Sequence, residues 1–527
     1  MNIQILQSQP WQWSLSAGGM SNETGNVITV TPSNTPWVLG SFQQTAILNN
    51  DTLIAYGEED MLLLKLSATG QVIKAISGGS TSDDAMGALT SDSLGNVYVA
   101  GRYWDKAIFG TDSLTQSYGS SSALFLLKYN DNGQLLWAKS IEGNGLKSAT
   151  QLRIGPQGNL FLAGYFRSDL KIEQTIIPAT GLTDSFIAEF DPSGNTLGIR
   201  TFGGEGITRI TGIGFDASEN LYAAGHFEGK LKFANDSIFT RTTGFDIFAL
   251  KYTAAGNPSW LKRAGGVFED ICNDIVVDEQ GTMTLVGKFF GVLEFDSYNL
   301  TSTGFNDDAF IARLDAFGNT IWAKSYGDAN DETFTAVLQN ANKLFVSGHF
   351  FTQTTLETSN FSTNTSETDG FLMTVLTDGS FESAFQITGD GYDLFNASAL
   401  APDGAVYLTG EYQTELTAGN LITPTGLYDL FVIKTNPLPV PVEEVATISN
   451  FRLFPNPVTD LLQIELPDHA DPFSIQLFDV LGRLLLTYRV QSQGLFTVDL
   501  SGFGAGVYWV GITDVSGQSF RKVVKID

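Results

Sequence analysis

Cysteine is almost missing from this chain, with one residue, Cys272, in 527. A lone cysteine excludes an intramolecular disulfide and any zinc site built on thiolates. Histidine is nearly as scarce: His226, His349 and His469 leave little material for a histidine-rich metal centre or a Ser-His-Asp triad. Positive charge is also in short supply, 29 Lys and Arg against 57 Asp and Glu, a net charge of −28. Such a surface repels phosphate backbones and anionic headgroups, which argues against nucleic-acid and membrane-surface partners and favours cations, Ca²⁺ among them, and basic surfaces. No apolar run approaches the ~18 residues that a spanning helix needs. The opening MNIQILQSQP has neither a basic n-region nor an apolar h-region, so no signal peptide is visible. The lack of disulfides leaves the compartment open, because a large core needs no staples.

What the chain has in quantity is glycine (55), phenylalanine (38) and apolar residues generally (43%). That is too apolar for disorder and too rich in Gly and Phe for a helical bundle. The string LFLAGYF at 160–166 recurs as LYAAGHF, LFVSGHF and VYLTGEY, with looser copies VLGSF, VYVAGRY and LVGKF. The shared glycines are Gly40, Gly101, Gly164, Gly225, Gly287, Gly348 and Gly410, spaced 61 to 63 residues apart, each followed two residues later by an aromatic. A second landmark, Asp-x-Phe-x-x-Lys in its fullest form, follows each glycine, as in DIFALK at 246–251; the second copy has Ala123 in place of the aspartate. A glycine turn and a strand such as LLWAKS or IWAKS complete the unit. Each unit therefore reads as four short strands, apolar on both faces, which must be covered on two sides. Radial repetition of such sheets makes a β-propeller.

The ends of the repeat point to a closed ring. WQWSLSAGG near the N-terminus matches a fourth strand without its first three, and the seventh unit, ending in DLFVIKTN, has three strands and no fourth. The expectation is an all-β fold: a seven-bladed β-propeller over 1–436, closed by an N-terminal strand. An extra β-hairpin is expected in each long connection between second and third strands. The units, of the form Gly-Asn-x-Tyr-x-x-Gly…Asp-x-Phe-x-x-Lys…Gly-Asn…Leu-Trp-Ala-Lys, resemble the SBBP seven-bladed propeller repeat, a likeness that speaks to fold and not to ligand.

A proline-rich linker is expected at 437–449, then about 78 residues of short strands, 450–527, that read as a small Ig-like β-sandwich. FRLFPNPVTDLLQIEL, LFDVLGRLLL, LSGFGAGVYWVGI and RKVVKI resemble the type A C-terminal sorting domain of the type IX secretion system. The family's motif falls on Pro455, Asn456 and Pro457, its central turn on Gly482 and Arg483, its Gly-Val-Tyr strand on Gly506, Val507 and Tyr508, and its basic end on Lys522 and Lys525. Usual members have Leu-Pro before Gly-Val-Tyr, where this chain has Gly504-Ala505. The resemblance implies a Bacteroidota-type bacterium, passage through the periplasm and outer membrane, and an extracellular or cell-surface destination. It also implies partners in the secretion machinery: an outer-membrane translocon, a shuttle and a sortase-like peptidase that removes the tail. With this route the expectation is a processed or truncated start. The strand GVYWVGI is expected to be an exposed edge open to strand addition.

Because the chain repeats, positions common to every unit serve the scaffold, and positions that differ are candidates for a ligand. The Asp-x-Phe aspartates are expected to bond backbone at a strand entry. Seventeen residues before each marker glycine lies a ring containing Glu23, Asp84, Asp270, Asp331 and Asp393, candidate Ca²⁺ ligands at a channel mouth if not loop caps. The residue after each marker varies most: Arg102, Tyr165, His226, Lys288, His349 and Glu411 are ligand-binding candidates for a glycan or surface protein. No catalytic motif is recognised, so no catalytic residue is assigned and no cofactor is required. The reading is a secreted, non-catalytic binding or adhesion platform; the alternative is a polysaccharide hydrolase or lyase that uses the propeller mouth as its cleft.

Overall fold

Strand-forming residues at fixed spacing dictate the architecture, and the computed structural model contains no helix among its described residues. These are 10–48, 51–363, 367–437, 451–465, 473–478, 484–490, 495–514 and 517–526. The chain divides into two compact units, Met1–Val440 and Pro441–Asp527.

In the first unit, antiparallel pairing builds a series of four-stranded meanders. Sheet 1 is Glu23–Val30, Pro36–Phe42, Asp60–Leu66 and Val72–Gly79; sheet 2 is Ala85–Ser91, Val97–Trp104, Ser122–Tyr129 and Leu135–Ile141. Sheet 3 is Lys147–Ile154, Leu160–Phe166, Asp184–Phe190 and Thr196–Phe202; sheet 4 is Gly206–Phe215, Leu221–Phe233, Asp246–Tyr252 and Pro258–Ala264. Sheet 5 is Asp270–Val277, Met283–Phe289, Asp308–Leu314 and Thr320–Tyr326; sheet 6 is Glu332–Asn340, Lys343–Phe351, Thr368–Leu376 and Phe381–Gly389. Sheet 7 is Asp393–Leu400, Val406–Tyr412 and Asp429–Thr435, and its outer strand is Trp11–Ala17. Ser16 lies opposite Phe431 and Trp13 opposite Lys434.

The second and third strands are buried almost throughout, because each sheet is covered by its neighbours on both faces. One apolar core joins Leu39, Met61 and Leu63 of sheet 1 to Val97, Val99 and Phe125 of sheet 2. Another joins Tyr407, Leu430 and Val432 of sheet 7 to Val38, Phe42 and Leu62 of sheet 1. Each buried Leu, Val or Phe contributes about 1.5–3 kcal/mol, so every added sheet face stabilises two sheets at once. The first strands lie side by side from one sheet to the next, and Asp393–Leu400 lies beside Glu23–Val30.

The fourth-strand tryptophan has one repeated role: its indole N–H donates to the third-to-fourth-strand turn of the following sheet. Trp260 Nε1 reaches Ala316 O at 3.1 Å and Trp322 Nε1 reaches Thr377 O at 3.0 Å. Trp13 Nε1 makes the same bond to Ala68 O of sheet 1 at 3.1 Å. Hairpins between second and third strands reach back to the preceding sheet, Ile108 opposite Gly79 and Thr417 opposite Thr388.

Among its described residues the second unit has two antiparallel sheets. Arg452–Phe454, Leu461–Glu465 and Leu495–Asp499 form one; Leu484–Val490, Phe473–Phe478, Gly506–Asp514 and Gly517–Lys525 form the other. Leu462, Ile464, Ile475, Val498, Val510 and Val523 belong to their common core. Gly506–Asp514 pairs on both sides, with Phe473–Phe478 and with Gly517–Lys525. The expectation that GVYWVGI is an open edge is therefore corrected: the terminal strand Gly517–Lys525 occupies the side where another chain would add.

Candidate functional site

The aspartates that open the third strands are buried caps. Tyr56 N donates to Asp60 at 2.5 Å, Thr180 N to Asp184 at 2.7 Å and Thr425 N to Asp429 at 2.9 Å. The acidic ring stands directly behind them. Glu23, Asp84, Asp270 and Asp393 lie at the start of the first strands and are at most 3% exposed, not displayed around an open mouth. Each lies across a junction between two sheets, facing the capping aspartate of the sheet before it. Asp331 is not in this ring; the buried position is held by Glu332, opposite Phe350 as Glu23 is opposite Phe42. The paired positions Phe334 and Gly348 are one residue closer in sequence than Gly25 and Gly40, because sheet 6 turns tightly through Ala341-Asn342, with φ of 51° at Ala341.

Burial raises every one of these acids: Glu23 and Asp84 to about 7, Asp270 and Asp393 to about 8 and Glu332 to about 9. The inter-sheet loops turn N–H groups toward them. Gly19 N, Ser80 N and Gly266 N donate to Glu23, Asp84 and Asp270 at 2.8, 2.6 and 2.7 Å. A calcium ion wants six to eight oxygen ligands, and these loops present donors instead. Among the described residues no group of three or more His, Cys, Asp or Glu is arranged to hold a metal ion.

The variable ring does not form one site; its members join separate groups. The Arg209 guanidinium lies over the Tyr165 ring at 5.4 Å and the Phe245 ring at 5.8 Å, and Phe245 meets His226 edge-on at 5.1 Å. Burial and then Arg209 depress His226 to about 4. Burial and then Lys288 depress His349 to about 4, while Lys288 pairs with Asp307 at 2.6 Å. Both imidazoles are neutral at pH 7 and poorly suited to carry protons there. Glu411 accepts from Thr24 Oγ1 at 2.5 Å, and Arg102 Nε is buried with no hydrogen-bond partner.

The sequence reading missed two features. Each first strand carries a β-bulge, and the extra residues are Asn26, Gly87, Thr150, Thr211, Asn273, Thr335 and Asn396. They line a polar cavity of about 450 Å³ whose charged residues are Arg153 and Asp274. Asn273 Nδ2 donates to Phe334 O at 2.8 Å and Asn396 Nδ2 to Gly25 O at 3.0 Å, stitching one sheet to the next. The available signal was a small polar residue or glycine at a constant offset from six markers.

The second feature is a groove of about 430 Å³ lined by loops of sheets 4, 5 and 6, including Val267, Phe268, Phe290 and Phe305 together with Glu269, Asn306, Asp307 and Asp331. Phe305 is 93% exposed and Phe268 48%, and Phe268 packs on Phe290 at 4.7 Å. Three residues before the third-strand aspartate or its equivalent, sheets 1, 3 and 7 carry Gly57, Gly181 and Gly426, sheets 2, 4 and 6 carry Ser120, Thr243 and Ser366, and sheet 5 carries an aromatic, Phe305. That departure from the repeat could have marked the groove in advance.

In the second unit, Asn456 ties its loop to the last strand: Nδ2 donates to Lys522 O at 2.8 Å and Oδ1 accepts from Val524 N at 2.9 Å. Pro455 and Pro457 flank it with cis peptide bonds, and Val458 N continues the clasp to Val524 O at 2.8 Å. Tyr508 OH donates to Gly504 O at 2.8 Å, two residues before Gly506 and Val507 open their strand. Lys525 is buried, with Asp460 at 3.9 Å. Gly482 and Arg483 lie outside the described residues.

Residues 452–526 match the family described as the secretion system C-terminal sorting domain. Over 268 residues, 43% of its length, the chain is 24% identical to an uncharacterized WD repeat-containing protein of Acanthamoeba polyphaga mimivirus, spanning 19% of that protein. Over 234 residues, 42% of its length, it is 24% identical to the regulatory protein FlaEY of Caulobacter vibrioides, spanning 24% of it. The chain thus covers a quarter or less of these relatives. A solved fungal alcohol oxidase of the AA5 family, in complex with copper, aligns over 98% of this chain and all of its own at 12% identity and a TM-score of 0.38. The second unit is a secretion-system sorting domain, and the first is propeller-like and repetitive.

Proposed function

We propose that this protein is a secreted cargo of the type IX secretion system whose first unit, a seven-bladed β-propeller closed by Trp11–Ala17, is a non-catalytic binding platform. In this reading the second unit is an Ig-like sandwich that addresses the chain to the outer-membrane translocon and is removed on export, leaving the platform outside the cell. The sorting-domain match supports the export half. The binding half is carried by one observation: the groove around Phe268 and Phe305, where one sector of a repetitive surface places exposed aromatics at positions that hold glycine or small polar residues in the other sheets, beside Glu269, Asn306 and Asp331. Aromatic faces flanked by hydrogen-bond acceptors suit a glycan or the side chains of another surface protein.

Two measurements test this reading. Deleting 450–527 should leave the chain in the periplasm; normal secretion of the truncated chain overturns the export half. The full chain on a glycan array and in polysaccharide digests should bind without releasing products, and Phe305→Ala should abolish binding. Product release that persists in Phe305→Ala overturns the platform reading in favour of a hydrolase or lyase.

A further inference from the structure

Three junctions of the ring hold two buried carboxyl groups against one glycine. A Cβ built on Gly79 would lie 2.4 Å from Asp84 Oδ2 and 2.5 Å from Asp60 Oδ1. One on Gly18 would lie 2.7 Å from both Glu23 Oε2 and Asp429 Oδ1, and one on Gly327 would lie 2.7 Å from both Glu332 Oε2 and Asp308 Oδ1. The two carboxyls of each pair close on a single point that only hydrogen can occupy, which explains the glycine at these three positions. The six side chains are at most 3% exposed, yet Asp60 Oδ1, Glu23 Oε1 and Glu332 Oε1 have no hydrogen-bond partner.

Two ionised carboxylates cannot share such a site without a cation between them. Loop backbone decides which cation. Gly19 N, Ser80 N and Asp328 N donate to the first-strand acids at 2.8, 2.6 and 3.2 Å, and Tyr56 N, Thr303 N and Thr425 N donate to the third-strand ones. N–H donors thus anchor all six carboxyls, and Asp60 Oδ1, which has no hydrogen-bond partner, is the oxygen that converges with Asp84 Oδ2. A metal ion would need carbonyl oxygens where these N–H groups stand.

We infer that the pairs Asp60–Asp84, Glu23–Asp429 and Asp308–Glu332 are proton-binding sites, each a carboxylic acid hydrogen-bonded to a carboxylate. In the first pair the proton lies between Asp60 Oδ1 and Asp84 Oδ2. The charged groups facing these pairs are themselves acidic, Asp83 at the first and Asp307 and Asp328 at the third, with Asp307 paired to Lys288. Asp60 with Asp84, and Asp308 with Glu332, titrate as coupled pairs. The proton of each pair is retained on folding and released on unfolding, so this contribution to stability is full below the unfolded carboxyl value of ~4 and is lost as pH rises through the raised folded values. Those values are about 7 for Glu23 and Asp84 and about 9 for Glu332.

The full chain is the test object. Its melting temperature should fall by several degrees between pH 6 and pH 9.5. Asp84→Asn, Glu23→Gln and Glu332→Gln combined, each amide supplying a permanent donor, should lessen that fall. Infrared difference spectra of the unmutated chain at pH 6.5 should show protonated carboxyl groups, diminished in the triple variant to those of the untouched buried acids such as Asp270 and Asp393. If the triple variant does not fold, Asp84→Asn alone should remove a measurable part of the infrared signal. A triple variant as alkali-sensitive as the parent, no protonated-carboxyl band at pH 6.5, or an alkaline loss rescued by millimolar Ca²⁺ would each overturn the proposal.

Discussion

Two neighbouring junctions of the ring solve the same problem with opposite charge. Between sheets 1 and 2, Asp60 faces Asp84 and the loop turns Ser80 N toward the acid at 2.6 Å. Between sheets 2 and 3 the corresponding residues are Ala123 and Lys147. There the loop turns over: Lys147 Nζ donates to the carbonyls of Gly143, Asn144 and Gly145 at 2.7, 3.0 and 3.1 Å. Lys147 is fully buried. Where the third-strand acid is missing, the first-strand acid is replaced by a base and the peptide groups reverse to suit it. The ring position demands a buried, hydrogen-bonded polar group and tolerates either sign, provided the loop dipoles follow.

That contrast can be broken by changing one side chain without the loop. Lys147→Asp places a carboxylate among carbonyls and should cost about 3–5 kcal/mol in denaturant unfolding, the usual loss when a buried charge is left without its partner. A cost under about 1 kcal/mol would mean the loop can invert on its own. Next in size, Gly79→Ala should cost about 1–3 kcal/mol through overpacking between the two carboxyls. Gly198→Ala is the control: an added Cβ there meets nothing within 4 Å, so a change within about 0.5 kcal/mol is expected. Equal losses at the two positions would contradict the close approach.

A smaller effect separates the junctions by pH. Burial lowers Lys147 to about 8, below the unfolded value of ~10.4. Its protonation therefore penalises the fold increasingly as pH falls from ~10.4 toward that value, and its contribution improves as pH rises. Asp84, raised to about 7, slopes the other way. Melting curves of Lys147→Met should lack the alkaline gain and those of Asp84→Asn the neutral-range loss; slopes of the same sign at the two junctions would refute the contrast. Smallest of all, Phe305→Ala should leave stability within about 0.5 kcal/mol, since the ring is 93% exposed, while ligand binding is lost.

Much of the scaffold was legible because a repeat exposes its own constants. The marker glycines, the third-strand aspartates and the unmatched strand around Trp13 could be located by spacing, and Trp11–Ala17 does pair with Asp429–Thr435. The candidate site was less legible. Spacing placed an acid at residue 331, and a tighter turn at Ala341 moved the buried position to Glu332. Strand composition suggested that GVYWVGI is an edge, but Gly517–Lys525 covers it. In the variable ring, Tyr165 and His226 are joined through Arg209 and Phe245, residues that no spacing rule had singled out.

The sequence by itself determined an all-β chain, its repeat period, the strand contributed from its start and the sorting module at its end. These depend on local preference and on periodicity along the chain, which a sequence displays directly. Which carboxyl meets which across a junction, which way a loop peptide points, and where aromatic side chains gather on one sector were decided only in three dimensions. Those outcomes depend on contacts between residues distant along the chain, where a one-residue change in a turn reassigns the partner.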